Sequence, residues 1–575
     1  RLPRLNLEGG VPENARTMVV VPTLFGSVAG VEHLLEHLEV QALGNLDPYV
    51  HFAILSDFRD AKTATTDADA PILAAAVAGI EELNRRHAPQ DGDRFFLFHR
   101  DRLWNPKEGV FMGWERKRGK IEEFNRLLRH PDDPAFRVKV GDVSILPSIR
   151  FVLTLDTDSR LPRGAARSLI GILFHPLNRP VVDPVEKRVT EGYGILQPRV
   201  GIDLPSAMRS RFARIFSGNV GIDPYTTAVS DVYMDQFGEG IYAGKGIYDP
   251  AALRETLAGR FPENALLSHD LIEGCYARAG LLSDVELLDS YPAAYASFAA
   301  RQHRWVRGDW QIAAWLLPWT PSAHGLARNV LSPIARFKLF DNLRRSLLAP
   351  ATVALLAAGW LGGHGRRRAV ATTGYALLPL ALPLLFDLLG AARAVVRGPA
   401  RRDTLRSQAE QIRLSALRLG LNITFLPDQA ASNLDAIART LARLLLTRRG
   451  MLEWETAAEA HSRLTRSSGG LLRRMAPGVA LGALAGVRGA RQLAGSWPAA
   501  APIVADWLAA PAIASWLDRP LLKPARPLDE ADRLLLRQLA RATWSYFEQF
   551  VTAEASDLAP DNFQESPSAA IAYRT

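Results

Sequence analysis

Near residue 340 this chain changes character, and no single soluble architecture accommodates what lies on both sides of that point. Before it, short apolar runs rich in β-branched and aromatic residues alternate with helical patterns. The runs are residues 17–24 (TMVVVPTL), 51–58 (HFAILSDF), 94–100 (RFFLFHR) and 151–155 (FVLTL), and apolar residues recur at helical spacing over 30–43, 70–86 and 117–128. This alternation predicts βαβ units and an α/β class, a mainly parallel sheet with helices on both faces. Ligands of such sheets bind beyond the carboxyl ends of the strands. Asp57 and Asp156 stand at such ends.

After residue 340, residues 347–363 and 369–386 carry no charge. Each is marginal for crossing a hydrocarbon core, which takes about 20 residues. Arginines and a lysine crowd the outer flanks (Arg328, Arg336, Lys338, Arg344 and Arg345 before, seven arginines from Arg393 to Arg418 after), and Arg366, Arg367 and Arg368 sit in the link. By the positive-inside rule this predicts a membrane hairpin with both flanks, and so the first 340 residues, on the cytoplasmic side. Buried core helices are the plainer alternative. Residues 433–448 suit an amphipathic helix in the interface, and 477–487 and 499–517 are further apolar segments. From Leu528 a charged amphipathic helix runs through Val551. The expected organisation is therefore 1–325 (soluble catalytic domain), 326–520 (transmembrane and interfacial helices) and 521–575 (the beginning of a further soluble domain). A start at Arg1 without a signal-peptide pattern suits a piece of something longer.

Composition removes several classes. With 48% apolar residues among 575, the chain can bury a large core and is not a disordered polyelectrolyte. A single Cys, Cys275, excludes a disulfide scaffold, and with scattered histidines gives no zinc spacing. The net charge of +9 suits nucleic acid, anionic lipid or an anionic substrate. There is no Walker A loop, no G-x-G-x-x-G and no G-x-S-x-G elbow.

Some residues remain that can carry chemistry. Asp156-Thr157-Asp158, a D-x-D at a strand end, can hold one hard divalent cation, Mg²⁺ or Mn²⁺, together with substrate phosphates. Asp57 and Asp60 follow the second strand, where a carboxylate can accept hydrogen bonds from a base or a ribose, or simply shape a turn. Lys117-Arg118-Gly119-Lys120 places cations at a helix N-terminus against the macrodipole, a conflict that an anion such as a diphosphate would remove. Gly244-Lys245-Gly246 lies in a glycine-rich stretch where backbone can approach a ligand. Ser268-His269-Asp270 opens a helix, with Glu273 one turn on. Asp270 is either a general base or a cap. The stretch from Arg301 to Gln311 (RQHRWVRGDWQ) is either a belt beside a membrane or a platform, with indole stacking on a sugar and arginines holding a leaving diphosphate.

As an ordered set, WERKRGKIEEFN (114–125), LTLDTDSRLP (153–162), YGILQPRV (193–200), FGEGIYAGKGIYD (237–249), RFPENALLSHDLIEG (260–274) and RQHRWVRGDWQ (301–311) resemble the glycosyltransferase domain of cyclic β-1,2-glucan synthases, glycosyltransferase family 84. That family is similar to the processive family-2 enzymes. The resemblance implies a GT-A-type domain joined to a helical membrane region in the bacterial inner membrane, catalytic side cytoplasmic. It implies inverting, processive transfer of glucose from UDP-glucose to a growing, enzyme-attached β-1,2-glucan. It also implies phosphorylase-like domains downstream, Mg²⁺ or Mn²⁺ as cofactor, the lipid bilayer as a partner, and no role for nucleic acid.

Residue by residue, the resemblance implies that Asp57, Lys120, Asn125, Asp156, Arg304 and Trp305 hold the donor. Asp156 and Asp158 would hold the metal, Asp270 would be the catalytic base, and Arg301 with Trp305 would meet the acceptor. Two departures stand out. The family-2 T-E-D is Ser268-His269-Asp270, and the glutamine of Q-x-x-R-W is Arg301. A linear β-glucan synthase with another linkage, and an inactive scaffold binding nucleotide sugar, are the rival expectations.

Overall fold

The four apolar runs become neighbouring strands that all run the same way: β1 (Thr17–Phe25), β2 (Val50–Phe58), β3 (Phe95–Arg100) and, two strands further along the chain, β5 (Phe151–Thr154). The structure is a computed structural model that describes residues 2–87, 92–218, 231–361, 365–397, 402–453, 470–491, 497–521 and 528–572. With β4 (Val138–Val140), β6 (Ile195–Ile202), β7 (Gly246–Tyr248) and β8 (Ala279–Asp289), these strands form an eight-stranded sheet ordered β8-β6-β7-β5-β1-β2-β3-β4. β4 and β7 are antiparallel to their neighbours, so six strands point their carboxyl ends to the same edge.

Both faces are covered, which is why β2 is buried along all nine residues. Val19, Val21, Phe52 and Ile54 pack under α1 (Val28–Gly44), α2 (Asp69–His87) and α4 (Ala165–Leu173). Met18, Val20, Ala53 and Leu55 pack on the other face against Ile121 and Phe124 of α3 (Arg116–Leu127). Each of the larger apolar side chains stabilises the fold by about 1.5–3 kcal/mol on burial. The expected helices thus appear within a residue or two of their sequence bounds. Beyond the sheet lie α5 (Asp270–Tyr276) and α6 (Tyr295–Gln311).

Among the described residues five long helices follow: α7 (Pro333–Leu361), α8 (Gly365–Arg397), α9 (Arg402–Ala442), α10 (Gly470–Arg491) and α11 (Trp497–Leu517). α7 and α8 pack closely. A Cβ on Gly359 would sit 2.7 Å from Thr372, and the Trp360 Nε1–H donates to Thr373 Oγ1 at 2.9 Å. Among the described residues two helical stretches are long and apolar enough to cross a membrane, Gly365–Arg393 and Ala499–Leu517. Only 6% of the apolar window in the first is buried. The expected hairpin partner in α7 is not one of them, nor is the segment at 477–487 within α10. Arg344 and Arg345 precede the apolar part of α7, while Arg473, Arg474, Arg488 and Arg491 lie within α10. The separate interfacial helix expected over 433–448 is instead the end of α9 and a wider helical turn (Arg443–Thr447). Ala436 and Ile437 pack there against Val306 of α6, and Leu434, Leu445 and Leu446 stay exposed.

The first 521 residues form one compact unit, so sheet and long helices share a packed body. Residues 522–575 form a second unit. It holds α12 (Glu530–Phe550), opened by a capping box of Asp529 and Asp532, and a small antiparallel pair, Asn562–Gln564 with Ala570–Ala572.

Candidate functional site

The common carboxyl edge of the sheet gathers charge. β5 ends at Thr154 and the chain turns through Asp156 and Asp158, with Asp158 exposed. Lys245 arrives just before β7, and Asp289 closes β8. The Asp156 Oδ1 accepts from Lys117 Nζ at 2.6 Å, and its Oδ2 lies 3.2 Å from Lys245 Nζ. Lys117 also donates to the Gly244 carbonyl at 3.0 Å. Lys245 reaches Asp289, whose other oxygen accepts from Ser159 Oγ at 2.7 Å.

The electrostatics follow from this crowding. Burial would raise the Asp156 pKa, but Lys117 and Lys245 outweigh it and hold the carboxyl well below the usual range. Conversely, Lys117 and Lys245 are raised, because the carboxylates overcome the cost of burial. At Asp158, the protein crowded around the exposed carboxyl, together with the carboxylates of Asp289 and Asp156, pushes the pKa up against the pull of Lys245.

Asp270 is the first residue of α5. No side chain caps this helix, so the capping alternative is not realised. Its carboxylate faces Gly244, whose φ is +82° and where an added Cβ would sit 2.7 Å from Asp270 Oδ1. Glycine is required there by backbone conformation and by space alike. Lys117 binds Asp156 and the carbonyl of the same Gly244 that Asp270 faces, and it feels the charge of both carboxylates. His269 is buried, with Nδ1 2.9 Å from Glu273 and 3.7 Å from Asp270. Asp270 Oδ1 is buried without a hydrogen-bond partner, as an oxygen awaiting a proton donor would be.

Helix α6 divides its motif between site and scaffold. The Arg301 guanidinium lies 4.6 Å over the Trp305 ring. Burial first, and Arg301 beside it, lower the Arg304 pKa to about 10, while Asp156 and Asp158 pull it back up. Arg304 is therefore within electrostatic reach of both D-x-D carboxylates, and Arg301 of Asp158. The last turn fastens the helix to its neighbours. Asp309 accepts from Asn342 at 3.1 Å, Trp310 Nε1 donates to Ser346 at 3.0 Å, and Gln311 Nε2 donates to the Met451 carbonyl at 2.8 Å.

Asp57, Lys120 and Asn125 are placed differently from the expected donor contacts. Asp57 is 1% exposed and binds Arg100 through both oxygens, at 2.7 and 2.9 Å, with Lys120 Nζ at 3.0 Å. Lys120 also donates to the Thr23 carbonyl at 2.5 Å. Asn125 Oδ1 accepts from Tyr248 O–H at 3.0 Å inside the core. These side chains are pinned in the protein interior because β2 and β3 pair Asp57 with Arg100 in register. Every cation of the basic cluster has an acidic partner: Arg116 with Asp60, Lys117 with Asp156, Arg118 with Glu115 and Lys120 with Asp57. Those acids offset the unfavourable macrodipole that the cluster faces. Arg100 and Asp289 escape sequence reasoning, since only the end of an apolar run marks either one.

Asp156 and Asp289, joined through Lys245, and the neighbouring Asp158 offer oxygen ligands of the kind that a hard divalent cation takes. Among the described residues, the group whose ligand atoms lie within 4.8 Å of one another is His269, Asp270 and Glu273. There His269 and Glu273 already pair.

No protein-family model matches the chain. It is 42% identical, over 98% of its length, to the curated cyclic beta-(1,2)-glucan synthase NdvB of Rhizobium meliloti (strain 1021), and it spans 20% of that relative's length.

Proposed function

We propose, from the premise that the chain is a homologue of part of a cyclic β-1,2-glucan synthase, that it is the glucosyl-transferring part of such an enzyme. It would take glucose from UDP-glucose and add it, with inversion, to a growing enzyme-attached β-1,2-glucan. The sheet domain would act as a GT-A-type domain on the cytoplasmic side of a bacterial inner membrane, with α8 and α11 in the bilayer and phosphorylase-like domains following in the longer polypeptide.

The observation that supports this reading is that Lys117 Nζ binds both Asp156 and the carbonyl of Gly244, the residue against which Asp270 packs. A diphosphate laid against the D-x-D would meet Lys117 and Lys245, with Arg304 within electrostatic reach, cations that offset the charge growing on the leaving group. Asp270 would then receive the acceptor hydroxyl as it approaches the anomeric carbon. Inversion needs one in-line displacement, hence one base: Asp270 takes the proton from the attacking hydroxyl. Trp305, stiffened by Arg301, offers an apolar face to a sugar ring. Asp156 and Asp158 would hold Mg²⁺ or Mn²⁺, which supplies further charge neutralisation at the diphosphate. Asp57, Arg100 and Lys120 form a buried pier beneath α3 and support the site from below.

The test is UDP release from UDP-glucose by wild type and Asp158→Ala, with and without Mn²⁺. Wild type should depend on the metal and the variant should lose that dependence. Equal, metal-responsive rates in both would refute the site. Linkage analysis of the product decides between a β-1,2-glucan and another linear glucan.

A further inference from the structure

Lys245 is delivered to the D-x-D by sheet backbone. Gly246 pairs in register with Thr154 of β5, and the two glycines flanking the lysine take φ of +82° and +148°. The lysine side chain is only 7% exposed and its ammonium bridges Asp289 and Asp156. Asp289 is itself fixed by Ser159. Lys117 occupies the other Asp156 oxygen but is 28% exposed and stands at the cleft side. Both oxygens of the first D-x-D carboxylate therefore face ammonium groups, and a divalent cation that binds there displaces one of them.

We propose that Lys245 is a resident counter-ion of the D-x-D that keeps divalent metal out until a diphosphate is present. The proposal rests on the nucleotide-sugar reading above. An ammonium and a divalent cation compete for the same oxygens, and like charges a few ångströms apart in a partly buried site repel strongly. A diphosphate changes the balance twice. It brings negative charge that Lys245 can share, and it brings oxygen ligands that complete the shell of a hard cation. Metal and nucleotide then bind as a coupled pair, and the coupling is reciprocal. Lys245 acts through Asp156 and Asp289, so it is a positioning residue of the metal site.

The experiment is Mn²⁺ binding to the full chain in detergent, read by the electron paramagnetic resonance of free Mn²⁺, without nucleotide and with saturating UDP. In wild type, UDP should raise Mn²⁺ affinity by about tenfold or more. Lys245→Met should raise the UDP-free affinity by about the same factor and shrink the effect of UDP. Lys245→Arg retains the charge and should behave as wild type. A Lys245→Met protein whose UDP-free affinity stays within about twofold of wild type overturns the proposal, since a coupling site shows more than that. So does a wild type that binds Mn²⁺ equally with and without UDP, a result that stands even if Lys245→Met fails to fold. UDP binding that persists in these cases leaves the nucleotide reading intact, whereas no UDP binding by wild type overturns both.

Discussion

Replacing Asp57 by Asn separates a buried pier from a ligand contact. In the folded chain Asp57 is 1% exposed. Burial alone would raise its pKa, but Arg100 and Lys120 reverse this and hold it at about 2, against 3.8 as the ordinary value. That difference is worth on the order of 2 kcal/mol to folding at neutral pH. The sign follows from the depressed folded value: the contribution is present above the unfolded pKa and is lost as pH falls from about 4 towards 2. Removing one partner of a buried pair costs about 3–5 kcal/mol. Two features place Asp57→Asn at the lower end. Lys120, already lowered to about 8 by burial and by Arg100, sheds its proton once Asp57 is gone, and Arg100 keeps Glu123 at 2.6 Å. The expected loss is therefore about 3 kcal/mol near pH 7, and it grows as pH falls, because a Lys120 that is neutral in the folded variant takes up a proton on unfolding. It is read by chemical denaturation followed by tryptophan fluorescence, with UDP affinity measured calorimetrically on the same preparation. Stability within about 0.5 kcal/mol of wild type, together with lost UDP affinity, would refute the reasoning and return Asp57 to the donor site.

Asp270→Asn keeps the shape of the side chain and removes its basicity, so glucosyl transfer should fall by about 10²- to 10⁴-fold with UDP-glucose affinity little changed. Transfer above about a tenth of the wild-type rate would put the base elsewhere, with Glu273 next to test. The His269 pKa, lowered by burial but raised overall above 6.5 by Glu273 and Asp270, gives stability that is full below pH 6.5 and lost as pH rises through the folded value. Thermal unfolding at pH 6, 7.5 and 9 should therefore show a decline that His269→Gln flattens, and parallel pH profiles for the two proteins would count against it. Leu382→Arg places a charge in the apolar stretch of α8 at a cost of about 2.5–3.5 kcal/mol for insertion. Alkaline carbonate extraction should then release more of the variant than of wild type, and equal retention would argue that α8 does not cross the bilayer.

The sequence by itself determined the parallel strands, their helices and the shift to apolar helices. Periodicity and run length are local properties, and β2 carries its double burial in its own composition. It also singled out Asp156, Asp158, Asp270, Lys117 and Lys245 as candidates, because strand ends and glycine-flanked cations leave local marks, and the structure brings Asp156, Lys117 and Lys245 into contact. It could not separate Asp57 from Asp156. Both stand at carboxyl ends of parallel strands, and their surroundings diverge because β3 brings Arg100 into register with Asp57 while β5 lies beside β7, which carries Lys245 to Asp156. Asp289 was likewise invisible, since it reaches the D-x-D through Ser159, 130 residues away in the chain. Which part of α6 serves the cleft and which part fastens the helix depend on where α7 and α9 pack. In each case the deciding quantity is the neighbour of a charge in a medium of low dielectric. Tertiary structure assigns that neighbour, and it fixes whether a carboxylate becomes a buried pier, a ligand for cations or a base.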